Sequence, residues 1–402
     1  MIWLLIVLLL VLFAVIFFIF LDLHLGKKAN LHKALPLEKK DRESQVTFFP
    51  TGDTFFNNLI QDLKAANDHI HVLFYIFRQD FIGSKLLDLL ELKAKEGVTV
   101  RLMVDQFGCS ISLRNKHRLR KAGVHFTTTP PLGFPYFFFK LNQRNHRKIV
   151  VCDGRVGYIG GYNIGDEYLG RNPHFGRWRD FHLRLVGDGV QDLQSSFLQD
   201  WHQKKKQVPI STKNQRYFPA LQKGTQSITL FRTNGAFLED EYYQKMEQAN
   251  KSLIIATAYF IPGEKLIKAI IKAAKRGVDI KIIVPKKSDH LFVREAAFPY
   301  YQRLLINGVR IYQYYRGFFH TKALLIDDKV AYIGTANFDQ RSMFINFEQH
   351  VFVHDQTIIT EVKNILEHDI SISSPLTWKE YKERSFFFKL KEKVGQLISG
   401  YL

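Results

Sequence analysis

The sequence predicts an α/β protein made of two βαβ-rich halves around one shared active site, preceded by a membrane-crossing helix. Three observations predict it: an uncharged apolar run at the N-terminus, a strand–helix–strand pattern that occurs twice, and a histidine–lysine motif that also occurs twice. Composition is compatible with this class and with few others. With 46% apolar residues in 402, the chain can bury one large core or two ordinary ones, so disorder is excluded for most of it. Its 35 Phe and 17 Tyr exclude collagen-like, coiled-coil and low-complexity chains. The two cysteines, Cys109 and Cys152, stand in no C-x-x-C context, which argues against a disulfide scaffold or structural zinc and for a reducing compartment. Lys and Arg outnumber Asp and Glu by 57 to 38, a net charge of +19 that calls for an anionic partner, either nucleic acid or an anionic membrane surface.

The elements follow in order. Residues 1–22 begin with an uncharged stretch, Met1 to Leu21, that at about 1.5 Å per residue reaches roughly 31 Å, the thickness of a bilayer's hydrocarbon core. A cleaved signal would need a basic start, a shorter apolar stretch and a small-residue cleavage site, so this reads as a retained transmembrane anchor. No Lys or Arg precedes it, whereas Lys27, Lys28, Lys33, Lys39, Lys40 and Arg42 follow, which predicts that everything after residue 22 is cytoplasmic. Residues 23–45 are expected to be a basic juxtamembrane linker lying against anionic headgroups.

Residues 46–203 form the first half. Its apolar strand His71 to Phe77 leads to a helix over Ser84 to Lys95, then Gly97 and a second strand ending at Asp105. Residues 225–372 repeat the unit: strand Leu253 to Phe260, helix Glu264 to Arg276, Gly277, and a strand ending at Pro285. The basic, aperiodic stretch 204–224, with Pro209 and Pro219, is the expected linker between them. Residues 373–402 mix lysines with Phe386, Phe387, Phe388, Leu390 and Leu397, as either an interfacial basic helix or a helix docked on the domain would.

The chemistry is expected in a pair of H-x-K-x-x-x-x-D segments, His146–Lys148–Asp153 and His320–Lys322–Asp327. Both run into a strand that ends at Gly160-Gly161 or Gly334-Thr335, with Asn163 and Asn337 two residues beyond. In a strand, positions i and i+2 share a face, so each His and its Lys are expected to point into one site. Two His, two Lys and two Asn make an apparatus for a phosphodiester. The cations and amides stabilise charge, one His attacks phosphorus, and the other protonates the leaving alcohol. Asn163 and Asn337 are the expected phosphate-binding amides. Asp153 and Asp327 complete the motif and are counted with its catalytic residues, although their place just past a buried run reads as fixing a turn. His182, in an Asp-x-His alternation, reads as a satisfied sheet histidine, and His174, His290 and His350 receive no role. The aromatic stretch Phe134 to Phe139 either lines an acyl-chain entrance or packs under a loop.

These paired motifs resemble the signature of the phospholipase D superfamily. The segments Arg144 to Ile149, Gly160 to Glu167, Trp178 to His182, Asp200-Trp201, Thr257 to Pro262 and Asn337 to Glu348 resemble bacterial cardiolipin synthases, from about residue 46 onward. The resemblance implies a duplicated phospholipase D-type fold and transfer of a phosphatidyl group from one phosphatidylglycerol to another, giving cardiolipin and glycerol. It implies His146 as nucleophile and His320 as general acid and then base, a pair whose roles the near-symmetry leaves interchangeable. It implies Asp180 and Glu348 as carboxylates that orient the two histidines, with no metal and no cofactor. Those synthases often carry two N-terminal membrane segments, whereas one is visible here. The expected partner is anionic phospholipid in a membrane rather than nucleic acid. A nuclease of the same superfamily and a non-catalytic membrane-bound binding protein are the alternatives, the second weakened because both motifs keep their His and Lys.

Overall fold

The computed structural model describes residues 2–34, 37–129, 133–207 and 210–401, so Met1 and Pro209 lie outside the described residues. Among these residues, fifteen strands join into one sheet that reads as two copies of one order placed back to back. The first half contributes β1 (Lys40–Phe49), β2 (His69–Phe74), β3 (Thr99–Asp105), β4 (His125–Thr129), β5 (Ile149–Cys152), β6 (Val156–Gly160) and β7 (His182–Gly187). The second contributes β8 (Gln226–Asn234), β9 (Ser252–Ala256), β10 (Asp279–Pro285), β11 (Arg310–Tyr314), β12 (Ala323–Ile326), β13 (Val330–Gly334) and β14 (Phe347–Val353), with β15 (Ser373–Pro375) on its edge. From the centre outward the first half runs β1-β7-β6-β5-β2-β3-β4 and the second β8-β14-β13-β12-β9-β10-β11-β15. The halves meet where β1 and β8 pair antiparallel, with Arg42 opposite Ile228.

Both faces of the sheet are covered, which is why β5, β9 and β12 read as continuous apolar runs rather than alternations. On β5, Ile149 and Val151 enter a core shared by both halves under helices Val190–Lys205 and Gln356–Ser371. Val150 and Cys152 enter the first half's own core under helices Gly52–Ala65 and Phe81–Lys95. The second half has its own core under Leu238–Gln248 and Glu264–Lys275. One face thus ties the halves together, and the other keeps them distinct.

The stretch 23–45 is not a linker. The apolar helix continues to Lys33 as Ile2–Lys33, because no proline interrupts residues 22–33, and β1 begins at Lys40. β1 is polar in sequence yet central in the sheet, since Arg42 pairs with Asp192 at 2.6 Å and Ser44 is buried. The inner end of the long helix also touches the catalytic half. Leu23 packs with Phe139, a Cβ at Gly26 would overlap the Phe139 side chain, and Asp22 accepts a hydrogen bond from the Phe139 backbone N–H at 3.0 Å. The aromatic stretch therefore divides: Phe139 is buried against the anchor, while Phe134 is 84% exposed.

Residues 210–224 strap across the first half. Tyr217 is buried and its hydroxyl accepts from Arg101 at 3.1 Å, and Arg216 pairs with Asp68 at 2.9 Å. The C-terminal segment opens with the edge strand β15 and ends in helix Phe386–Ile398, which packs on helix Val293–Ile306 through Gly395 against Ala296 and Phe388 against Phe298. Its outer side leaves Phe386, Phe387, Leu390 and Leu397 exposed, so the docked and the interfacial descriptions each fit one face.

Candidate active site

The two motifs meet because each half reaches across to the other. Neither His nor Lys lies within a strand; β5 and β12 begin just after Lys148 and Lys322. The residues before the strands cross between the halves instead. Asn145 bridges Phe347, and the His146 backbone N–H donates to the Phe347 carbonyl at 2.9 Å. In the second half Phe318–Phe319 pairs in parallel with Trp178–Arg179, and the His320 N–H donates to the Arg179 carbonyl at 2.8 Å. Each motif segment is thereby hydrogen-bonded to the residue that immediately precedes the opposite half's carboxylate.

The carboxylates are crossed as a result. His146 Nδ1 lies 3.0 Å from both oxygens of Glu348, and His320 Nδ1 lies 2.6 Å from Asp180 Oδ2. With each Nδ1 committed to a carboxylate, Nε2 is the nitrogen left for chemistry. Burial pushes both rings down to about 4, against the opposing pull of their carboxylates, so both are neutral at pH 7. Burial alone would raise Glu348, but His146 and Lys148 outweigh it and hold it down at about 2. Asp180 is likewise lowered: Lys322 and His320 overcome its desolvation.

Lys148 and Lys322 are fully buried behind the rings, each donating Nζ to the carbonyl of its own motif's His, Lys148 at 2.8 Å. Burial lowers both, Lys148 to about 7, with Glu348 the main opposing charge there. The imidazoles line a cleft of about 660 Å³ together with Asn163 and Asn337. The two amides are not equivalent. Asn163 accepts from the Ile76 N–H at 3.1 Å and donates to Tyr168 at 3.3 Å, whereas Asn337 Oδ1 is buried without a partner.

Asp153 and Asp327, counted with the catalytic motifs, take no part in the cleft. Both have a left-handed φ of 53° at the turn after the motif strand. Asp153 accepts from the backbone N–H groups of Asn67, Asp68 and His69 at 2.8 Å, and Asp327 does the same for Asn250, Lys251 and Ser252. They fasten the start of the first strand of each unit to the motif hairpin. His182 is buried as expected of a sheet residue but is not satisfied: neither ring nitrogen has a partner, and burial pushes it to about 3. Its counterpart His350 is bonded to Thr233 and Tyr332 at 2.9 and 3.0 Å.

The sequence reading missed the aromatic walls. Tyr75 stands edge-on to His146 at 5.0 Å and Trp178 lies 4.9 Å from His320. Tyr75 and Tyr259 stand in the segments that follow the first strand of each unit, and both line the cleft. The repeat does not mark them, because the strand register sets Tyr75 against Ala258 and Tyr259 against Ile76, so no residue shared by both copies signals the wall. His290, given no role, also lies in the lining. Among the described residues no group of three or more His, Cys, Asp or Glu side chains converges as around a metal ion.

The chain is similar in sequence and in fold to known proteins. The family described as cardiolipin synthase, PLD-like domain, matches residues 59–201 and 242–370, one match per half. The chain belongs to this family. It is 41% identical over 391 residues to the minor cardiolipin synthase ClsB of Bacillus subtilis (strain 168), covering 96% of this chain and 97% of that protein. It is 40% identical over 367 residues to the cardiolipin synthase of Staphylococcus aureus (strain Mu50), covering 90% of this chain and 74% of that protein. In fold it is similar to the crystal structure of phosphatidylserine synthase from Haemophilus influenzae Rd KW20, with a TM-score of 0.70 at 16% identity over 94% of this chain and 99% of that one. For this cardiolipin synthase family member, the long apolar helix and the family's lipid chemistry together mean association with a membrane.

Proposed function

We propose that this chain is a phosphatidyltransferase that moves a phosphatidyl group from one phosphatidylglycerol to another, yielding cardiolipin and glycerol. The observation that carries the reading is the crossed pair of histidines, each held at Nδ1 by the other half's carboxylate and both opening on one cleft. His146 is the nucleophile: its Nε2 bonds to phosphorus while the bond to the donor's glycerol oxygen breaks, and His320 gives that oxygen its proton. The acceptor's hydroxyl then gives its proton to His320, its oxygen bonds to phosphorus, and the phosphorus–His146 bond breaks. The short contact from His320 to Asp180 supports the imidazolium that a general acid must carry, and the negative charge of a bound phosphodiester favours it further. Lys148 and Lys322 supply positive charge behind the reacting phosphate, and Asn337 lines the same cleft.

The basic residues that follow the uncharged run, with none before it, support a cytoplasmic position for the catalytic halves, next to anionic lipid. Purified enzyme mixed with phosphatidylglycerol vesicles is expected to give cardiolipin and glycerol, with phosphatidic acid as a minor hydrolytic product. No cardiolipin, with cleavage of single-stranded DNA at the same enzyme concentration, would replace this reading by the nuclease one. For orientation, a C-terminal tag should survive protease added to intact cells and be lost after lysis.

A further inference from the structure

A second pocket of about 380 Å³ adjoins the catalytic cleft and shares Phe175, His290 and Leu291 with it. Its lining is cationic: Lys287, Arg294 and Lys391, with His174 and His290, against the single carboxylate of Glu295. Lys287, Arg294 and Lys391 form no ion pair with any described residue, and Arg294 Nε is buried without a hydrogen-bond partner. Cations left unneutralised in a concave site focus a positive field, and guanidinium and ammonium groups are the usual donors to phosphate oxygens. Lys391 comes from the C-terminal helix, whose neighbouring Phe387 and Leu390 are exposed and offer acyl chains an apolar surface.

The transfer reaction needs such a site. The buried Lys148 and Lys322 stand at the two histidines and serve the phosphate that reacts. An acceptor phospholipid brings a second phosphate whose charge repels the first, and it must be held close enough to present its hydroxyl. We infer that the pocket lined by Lys287, Arg294 and Lys391 binds the phosphate of the acceptor, directing its free glycerol hydroxyl through the shared wall into the cleft. The inference rests on the transferase reading above and assigns a place to its second substrate.

The test uses the full-length enzyme with both exposed lysines removed, Lys287→Ala with Lys391→Ala. Labelled phosphatidylglycerol is the donor, and three acceptors are compared: glycerol, which is neutral; glycerol 3-phosphate, a soluble phosphate; and phosphatidylglycerol in vesicles. Exchange into glycerol should match the parent, which also reports an intact fold. Transfer to both phosphate-bearing acceptors should fall about tenfold, the worth of one charge-assisted hydrogen bond, and phosphatidic acid should rise relative to cardiolipin. A fall with phosphatidylglycerol alone would mean that the lysines hold a lipid surface and would overturn the pocket. An equal fall with glycerol, or no fall at all, would overturn it too. If the parent itself makes no cardiolipin, the transferase reading fails first and takes this one with it.

Discussion

The two half-sites carry the same motif but are held differently. In the first, Glu348 meets His146 with both oxygens at 3.0 Å and also accepts from the Thr335 hydroxyl at 2.5 Å, while Lys148 pairs with no carboxylate. In the second, Asp180 meets His320 at 2.6 Å and lies 3.7 Å from Lys322. The positions facing these carboxylates, Gly161 and Thr335, follow one another's place in the repeat and obey opposite rules. Asp180 is short, so its carboxylate lies so near the backbone that a Cβ at Gly161 would overlap Oδ1. Glu348 is longer and leaves room for a hydroxyl. The difference teaches that duplication preserved the reacting groups while each carboxylate was fitted to its own wall, and that neither half has a complete site alone.

The hardest way to break the comparison is to remove the histidines. His146→Ala and His320→Ala should each cost roughly 10²- to 10⁴-fold or more in turnover, although they sit on different halves. A donor with a nitrophenolate leaving group, which needs no proton, should rescue the first step in His320→Ala and accumulate phosphoenzyme there. It should give none in His146→Ala. Phosphoenzyme in the opposite variant would reverse the roles.

The fitted walls come next. Gly161→Ala should displace Asp180 and so cost about a hundredfold in kcat through His320, a residue of the other half. Thr335→Ala removes one hydrogen bond from Glu348 and should cost about tenfold. Equal effects would mean that the two walls are interchangeable.

The buried histidines His182 and His350 share an acid sensitivity and differ in their hydrogen bonds. His182 has a folded value of about 3 against about 6.5 when unfolded, so the unfolded chain binds the extra proton and stability falls as pH drops below about 6.5. At pH 5 that is about 2 kcal/mol for this one residue. His182→Leu should therefore flatten the fall in thermal midpoint between pH 7 and pH 5 in detergent. His350 is pushed by burial to about 3 as well, so His350→Leu should flatten the fall likewise, but it should also destabilise at both pH values because it strands the Thr233 and Tyr332 hydroxyls. An unchanged slope in His182→Leu would show that other groups carry the acid sensitivity.

The smallest effect should be symmetric. Asp153→Asn and Asp327→Asn each keep one acceptor oxygen at the left-handed turn and should lower stability by about 1 kcal/mol without changing kcat. A loss of kcat in one and not the other would return that residue to the catalytic set.

The sequence by itself determined the duplication, the paired His and Lys of the motifs and the long apolar helix, because each is written in local pattern: spacing, periodicity and an uncharged run. It also carried the turn role of Asp153 and Asp327, since a residue just past a buried strand has little else to do. What it could not determine is which carboxylate serves which histidine. That depends on Asn145 pairing with Phe347 and Phe318–Phe319 with Trp178–Arg179, contacts between segments far apart in the chain that no spacing encodes. The same holds for β1, whose polar sequence reads as a linker until Arg42 finds Asp192, and for Phe139, whose partner is the anchor helix. Local pattern fixes what a segment presents, but a site built across two halves exists only once the chain has brought them together.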